Sequence, residues 1–229
     1  MNPQKGFSIA IDGPVASGKG TIARMLAERL NGFDLYTGAM YRCVALYCIE
    51  NAIDLTAESL VVNALSNIQL DLRDKKIFLN NKDVTERIKE SDTASGSSVV
   101  GVYLQVRRTL VKRQQEIAQR EIENGKVVVA EGRDVGTVVL PNAQIKIFIT
   151  ADPLVRAKRR KEQENLPEEL EEVLEEVRKR DYRDTHRDLD PMVSEPEKFG
   201  YFIVDTSNQT QEESVATIME EIKKRGLIQ

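Results

Sequence analysis

One stretch of the chain has residue types and spacing suited to handling phosphate: Gly13-Pro-Val-Ala-Ser-Gly18-Lys19-Gly20-Thr21. Glycines at this density let backbone N–H groups turn toward one point and approach phosphate oxygens closely. Lys19 adds a full positive charge that can follow a phosphoryl group in transfer. Thr21 adds a hydroxyl beside it. The stretch lies between a short apolar run, Phe7 to Ile11 closed by Asp12, and a segment with Ile22, Met25, Leu26, Arg29 and Leu30 at helical spacing. Strand, glycine turn and helix in this order form the setting a phosphate loop requires. The helix start supplies unpaired N–H groups and the positive end of its dipole. Gly20 separates Lys19 from Thr21, whereas the general pattern has Ser or Thr directly after the lysine. That spacing leaves open whether Thr21 meets a Mg²⁺ ion directly or through water.

Three further clusters bear on what accepts the phosphoryl group. Tyr36-Thr37-Gly38-Ala39-Met40-Tyr41-Arg42 follows a second short strand at Phe33 to Tyr36. Tyr41 and Arg42 are suited to covering a nucleotide and pairing with its phosphate, or equally to packing and surface charge. Glu131-Gly132-Arg133-Asp134 follows the apolar run Lys126 to Ala130, and open α/β sheets bind ligands beyond the carboxyl ends of their strands. There Arg133 can clamp phosphate with paired hydrogen bonds, and Asp134 can accept from an exocyclic amine such as cytosine N4. A structural ion pair at the strand end is the alternative. Arginines and aspartates alternate from Arg178 to Arg187, after an acidic helix expected over Leu166 to Arg180. They suit a phosphorylated sugar or a plain salt-bridge network. His186, the one histidine, is expected to be an ordinary surface residue, because phosphoryl transfer gains most from positioning and charge neutralisation. Arg156, Arg159 and Arg160 open the helix after Asp152-Pro153 and are candidates for a segment that closes over phosphates and excludes water.

The elements around these clusters follow from their hydrophobic patterns. Apolar runs at residues 7–12, 33–36, 126–130, 145–149 and 201–204 alternate with helical segments, which implies a parallel sheet with right-handed crossovers. Ile68, Leu70, Leu72, Ile77 and Leu79 alternate with polar residues around a turn at Arg73 to Lys76, and a second turn at Asn80 to Lys82 precedes Val84. They predict a small antiparallel meander within residues 60–97. A long helix is expected from Val102 to Asn124, stopped by Gly125. Leu170, Val173, Leu174 and Val177 mark the core face of the acidic helix. Val215, Ile218, Met219 and Ile222 mark that of the last one.

The composition is that of a globular protein, with 41% hydrophobic and 31% charged residues. A net charge of −4 argues against nucleic acid or anionic membranes as main partners, both of which need a broad basic surface. No apolar run is long enough to span a bilayer, and the short N-terminal run ending at Asp12 does not have the form of a signal peptide. Cys43 and Cys48 fall about 140° apart on a helix of 3.6 residues per turn, so two reduced thiols and a cytoplasmic location are expected. A guanine-reading Asn-Lys-x-Asp motif is absent; Asn81-Lys82-Asp83 lacks the spacer. Kinases acting on AMP, UMP or shikimate are closer rivals.

Over nearly its full length the chain resembles the bacterial cytidylate kinases. The matching elements are Ile11-Asp-Gly-Pro14, Gly18-Lys-Gly-Thr21, Thr37-Gly-Ala-Met-Tyr-Arg42, Val106-Arg107 through Arg113-Gln114, Gly132-Arg-Asp-Val-Gly-Thr-Val-Val139, and Arg180-Asp-Tyr-Arg-Asp184 through Arg187. The Gly-Lys-Gly-Thr form is also closer to nucleoside monophosphate kinases than to GTPases. The resemblance implies a P-loop three-layer α/β/α fold with a central five-stranded parallel sheet, a small inserted antiparallel β sub-domain and a short lid. It implies one kinase domain over residues 1–229, with a core of 1–38, 126–152 and 188–229, a monophosphate-binding region at about 39–125 and a lid at about 153–187. It further implies that Gly13, Pro14, Val15, Ala16, Ser17, Gly18, Lys19, Gly20 and Thr21 hold ATP with Mg²⁺. Ser98, Arg107 and Asp134 would read cytosine, Arg42, Arg133 and Arg180 would hold the CMP phosphate, and Tyr41, Asp184 and Arg187 would meet the sugar. Thr37 stands where the family commonly has Ser. Lys19, Arg156 and Arg160 are the expected catalytic residues. The implied partners are ATP and CMP or dCMP, and the implied state is a monomer.

Overall fold

Strand β1 (Ser8–Asp12) is buried along its whole length, as an unbroken apolar strand in the middle of a covered sheet must be. It is followed by α1 (Lys19–Arg29), β2 (Phe33–Tyr36), α2 (Thr37–Glu50), α3 (Glu58–Ala64), β3 (Leu70–Arg73), β4 (Lys76–Leu79), β5 (Lys82–Asp83) and α4 (Ser91–Val100). Then come α5 (Leu104–Glu123), β6 (Val128–Gly132), β7 (Ile145–Thr150), α6 (Pro153–Glu164), α7 (Leu170–His186), β8 (Phe202–Asp205) and α8 (Gln211–Lys224). These elements come from a computed structural model that describes residues 6–73 and 76–229. The chain forms two compact units, Met1–Asp34 with Ala118–Gln229, and Leu35–Ile117.

The five-stranded sheet has the order β2-β6-β1-β7-β8, and β1 pairs in parallel with both β6 and β7. Its core lies on one face, where Ile9, Ile11, Ile147 and Ile149 pack with Ile22 and Leu26 of α1 and with Val215, Ile218 and Ile222 of α8. Phe148, Met192 and Tyr201 form a smaller cluster. Helices α6 and α7 share a third, in which Ala157, Val173 and Val177 pack with Val15 of the glycine-rich loop. These two helices therefore bear directly on that loop. Helix α6 begins at Pro153, with the Asp152 carboxylate accepting the Leu154 N–H at 2.8 Å, an N-cap that fixes the direction of its first turn.

In the second unit β3, β4 and β5 form the expected antiparallel meander. Leu70, Leu72, Ile77 and Leu79 are its buried side chains, so the alternation in the sequence does mark one face. Asn80 and Asn81 turn the chain at φ 49° and 65°, a conformation asparagine tolerates better than most residues. Two residues of the first expected turn, Asp74 and Lys75, lie outside the described residues. Helix α4 packs closely in this unit: a Cβ on Gly96 would lie 2.9 Å from that of Ala45.

Some element boundaries differ from expectation, most of all around the acidic helix and the strand before Arg133. Helix α7 starts at Leu170, not Leu166, because Pro167 biases its predecessor away from helix and Glu169 with Glu172 forms a capping box. It then runs on to His186, so Asp181 to His186 lie within the acidic helix and do not follow it; no Gly or Pro interrupts residues 168–190. Strand β6 is shifted two residues and takes in Glu131 and Gly132. Beyond it, Val135–Val139, for which no element is expected, forms a single π-turn, a form often found at functional sites.

Candidate active site

The loop leaves β1 at Gly13, where φ is +154° and a Cβ would lie 2.1 Å from the Ile149 carbonyl oxygen. No larger residue fits there without moving β7. Gly18, at φ 88°, leads into α1, whose first turn has neither a side-chain cap nor an acidic residue. Helix α8, by contrast, is capped by Thr210. The loop's carbonyls have protein partners. Thr206 donates to the Ser17 oxygen at 3.0 Å, Arg156 to that of Val15 at 3.2 Å, and Lys19 Nζ to that of Pro14 at 3.0 Å. Arg159 in turn donates to Thr206 Oγ1 at 3.0 Å. A loop pinned through its carbonyls and followed by an uncapped helix start is a preformed anion site.

The register of β1 with β6 sets Ile11 opposite Glu131 and Asp12 opposite Gly132. The Glu131–Asp134 segment therefore begins beside the loop. Arg133 Nε donates to Asp184 Oδ2 at 2.7 Å, and Arg187 pairs with Asp134 at 3.2 Å. Arg156 forms a two-pronged pair with Asp181 at 3.1 and 2.6 Å, while Arg160 reaches Glu164 and Glu176. Lys19, only 8% exposed, is pushed down to about 7, by burial first and then by Arg133 and Arg180, with Glu131 and Asp184 offsetting part of this. Arg180 is pushed down to about 10 by burial and by Arg133. Its Nε is buried and has no hydrogen-bond partner among the described residues, as is also true of Ser17 Oγ. Burial works against the charges of Arg133 and Asp184, yet their mutual pairing keeps both ionised. Lys19, buried, and Arg133 and Arg180, half-buried, thus form a cation cluster whose members raise each other's cost, an arrangement that a polyanion relieves.

The remaining predicted residues lie in the second unit. Thr37 opens α2 and is buried; Tyr41 and Arg42 lie on its next turn. Arg42 donates to the Ile88 carbonyl at 2.8 Å. Arg107, 2% exposed, donates to the Gly101 carbonyl at 3.3 Å, and its guanidinium stands 5.8 Å from the Tyr41 ring centre. Ser98 is half-buried on α4. His186 is exposed and stacks on Tyr182, in keeping with a surface role. Cys43 and Cys48 are free and buried, and burial pushes the Cys43 thiol up to about 12.

Asp12, Glu131 and Asp181 lie within the quoted motifs without a role of their own there, and Tyr201 counts only as part of an apolar run. The Asp12 carboxylate accepts from the Val135 N–H at 2.7 Å, the Gly136 N–H at 2.8 Å and the Tyr201 hydroxyl at 2.7 Å. An acid closing an apolar strand was the available signal. Among the described residues no three His, Cys, Asp or Glu side chains group together as a metal cage.

The family profile for cytidylate kinase matches residues 9–224. The chain belongs to the cytidylate kinase family. A relative in Leuconostoc mesenteroides, a cytidylate kinase, is 38% identical, with 93% of this chain and 94% of the relative covered. A cytidylate kinase from Caldanaerobacter subterraneus is 42% identical over 94% of each. Among solved structures, an uncharacterised protein from Eubacterium ventriosum superposes with a TM-score of 0.53 at 18% identity, covering 96% of this chain and 99% of that one. That likeness concerns the fold alone. Family membership makes the chain a nucleotide-binding phosphotransferase.

Proposed function

We propose that the chain transfers the γ-phosphoryl group of ATP to CMP or dCMP, giving ADP and CDP or dCDP in pyrimidine nucleotide metabolism. The carrying observation is the cluster of Lys19, Arg133 and Arg180 at the pinned loop in a chain that matches the family over residues 9–224. In this reading Gly13 to Thr21 hold the ATP phosphates and Lys19 follows the moving group. Arg42, Arg133 and Arg180 hold the acceptor phosphate. Ser98, Arg107 and Asp134 read the base, the Asp134 carboxylate accepting from cytosine N4. Thr37, Tyr41, Asp184 and Arg187 complete the acceptor site, the last three at the sugar. The Arg133–Asp184 and Arg187–Asp134 pairs support this, since each joins a residue after β6 to one at the end of α7.

An oxygen of the CMP phosphate attacks the γ-phosphorus in line. The bond to the β–γ bridging oxygen breaks, and ADP leaves with that oxygen. No strong base is required, because the attacking oxygen is already anionic and the work is positioning and charge neutralisation. Residues 153–187 act as a lid that excludes water, a competing acceptor. Arg156 and Arg160 serve within it, and the Arg156 bond to Val15 already ties the lid to the loop. The Thr21 hydroxyl would hold a Mg²⁺ ion brought by ATP, directly or through water, and the ion would supply positive charge to the phosphates. A cytoplasmic monomer with no nucleic-acid partner completes the reading; the two free thiols suit a reducing compartment.

An ADP-release assay with CMP, dCMP, UMP, AMP and shikimate as acceptors tests the assignment. The two cytidine substrates are expected to give the highest kcat/KM, and a higher value for any of the others would overturn it. Asp134→Ala tests base reading. The CMP over UMP preference is expected to fall by about ten- to a hundredfold, the cost of one lost base contact, while KM for ATP holds. An unchanged preference would remove Asp134 from the reading site.

A further inference from the structure

We infer that Asp12 is the positioning residue of the acceptor-binding segment, its carboxylate holding Val135 and Gly136 so that Arg133 and Asp134 stand in place beside the phosphate loop. The inference rests on the proposal that Arg133 and Asp134 bind the acceptor. Asp12 is fully buried and precedes Gly13, so one end of its backbone is the start of the phosphate loop. Its side chain ends on the two residues after Asp134. The two halves of the site are thus joined by a single residue. The third bond comes from Tyr201, whose ring is held edge-on against Phe148 at 6.0 Å. The π-turn at Val135–Val139 starts at the two held N–H groups. Gly136 leaves no slack there: a Cβ would lie 2.5 Å from the Tyr201 hydroxyl and 3.2 Å from Lys146 Cδ.

The ionised carboxylate accepts all three bonds without conflict. Protonation sets an O–H among N–H and O–H donors, so the Tyr201 bond must reverse or one of the three bonds is lost. An asparagine fails in the same way, since its amide N–H₂ would oppose donors. Burial raises the Asp12 pKa to about 6, against the three hydrogen bonds, and Asp134 adds a smaller push in the same direction. The groups facing Asp12 are therefore Tyr201 from the turn before β8 and Asp134 from the end of β6, with the Lys146 stem of β7 passing Gly136. The hold is expected to slacken as the pH falls through about 6.

Steady-state kinetics on the whole enzyme test this. Asp12→Asn is expected to raise KM for CMP about tenfold or more, the worth of one hydrogen bond to a charged group, while KM for ATP stays close to wild type. The ratio of the two enzymes' KM for CMP should fall toward one below pH 6, as the wild-type carboxylate protonates; the substrate's own titration is common to both and cancels. Tyr201→Phe, which keeps the ring packing, serves if Asp12→Asn does not fold. Without the hydroxyl the Asp12 pKa rises further, so the acid loss of CMP affinity must move to higher pH. Equal rises in both KM values, no rise at all, or an acid limb unmoved in Tyr201→Phe would overturn the inference. Asp134→Ala in the same assays separates the two claims. If its CMP over UMP preference is unchanged, base reading by Asp134 fails, and the Asp12→Asn result still decides whether the held segment serves the acceptor.

Discussion

Lys19→Met is expected to lower turnover about a thousandfold or more, the scale of losing a charge aimed at the transferring group, and yet to make the ligand-free protein more stable. Both effects have one cause. The Lys19 ammonium is buried beside Arg133 and Arg180, and its pKa is down to about 7. Its ordinary value is 10.5, so the unfolded chain binds the proton more tightly between these limits. Stability therefore rises with pH from about 7 toward 10, and the cost of the buried charge is fully present below 7. Removing the charge should relieve a cost on the order of a few kcal/mol at neutral pH, less about 1 kcal/mol for the lost bond to Pro14. The gain should fade by pH 9 to 10. Thermal melts of the two proteins at pH 7 and at pH 9 check this. ATP binding supplies the missing anion and raises the Lys19 pKa again, so the wild type should take up a proton on binding ATP at pH 8. Calorimetry in two buffers of different ionisation enthalpy measures that uptake, and the Met variant should lack it. Wild-type turnover in the variant, or a lower melting point at pH 7, would contradict the role given to Lys19.

The contrast between Lys19 and Asp12 shows which parts of the site were legible in the sequence. Lys19 belongs to a local pattern: the glycines, the lysine and the flanking strand and helix lie within about twenty residues, and local backbone physics dictates their geometry. The sheet was legible for the same reason, because buried parallel strands are apolar runs whatever their order. Asp12 meets partners 123 and 189 residues away, and no local rule names them. They become visible only once β6 and the turn before β8 are placed around β1. Arg180 was legible as a candidate and not as a half-buried cation whose buried Nε has no partner among the described residues. The alternating charges around it read equally well as a solvated network, and the continuation of α7 to His186 decided its surroundings. Ser98 and Arg107 came through the family resemblance, Arg107 within a quoted motif and Ser98 outside all of them. Nothing in the charged stretch Arg107 to Arg113 marks one arginine of α5 as buried.

Arg180→Met is expected to cost about a hundredfold or more in kcat/KM for CMP, the loss of a charged, two-pronged phosphate contact in a water-poor site. KM for ATP should change little. Arg180 stays charged at neutral pH, since its pKa of about 10 lies well above 7, so its burial is a standing cost that the folded protein bears without a ligand. Arg133 adds to it, and Asp184 offsets it. Asp184 keeps its bond to Arg133 when Arg180 is removed, so the variant should fold, and its ligand-free melting point should equal or exceed that of the wild type. The decisive difference lies in the response to anions. CMP or inorganic phosphate should raise the wild-type melting point by linkage, and the variant should respond far less. Arg180→Lys separates charge from shape: it restores a point charge and not the planar fork, so it should recover the anion response in part while kcat/KM for CMP stays low. The two variants are also expected to fail on opposite sides of the reaction. Lys19→Met should still bind CMP and fail in transfer, whereas Arg180→Met should bind ATP and fail to hold the acceptor. If instead Arg180→Met kept its KM for CMP, the cation cluster would serve ATP alone, and the acceptor phosphate would have to be held by Arg133 and Arg42 without it.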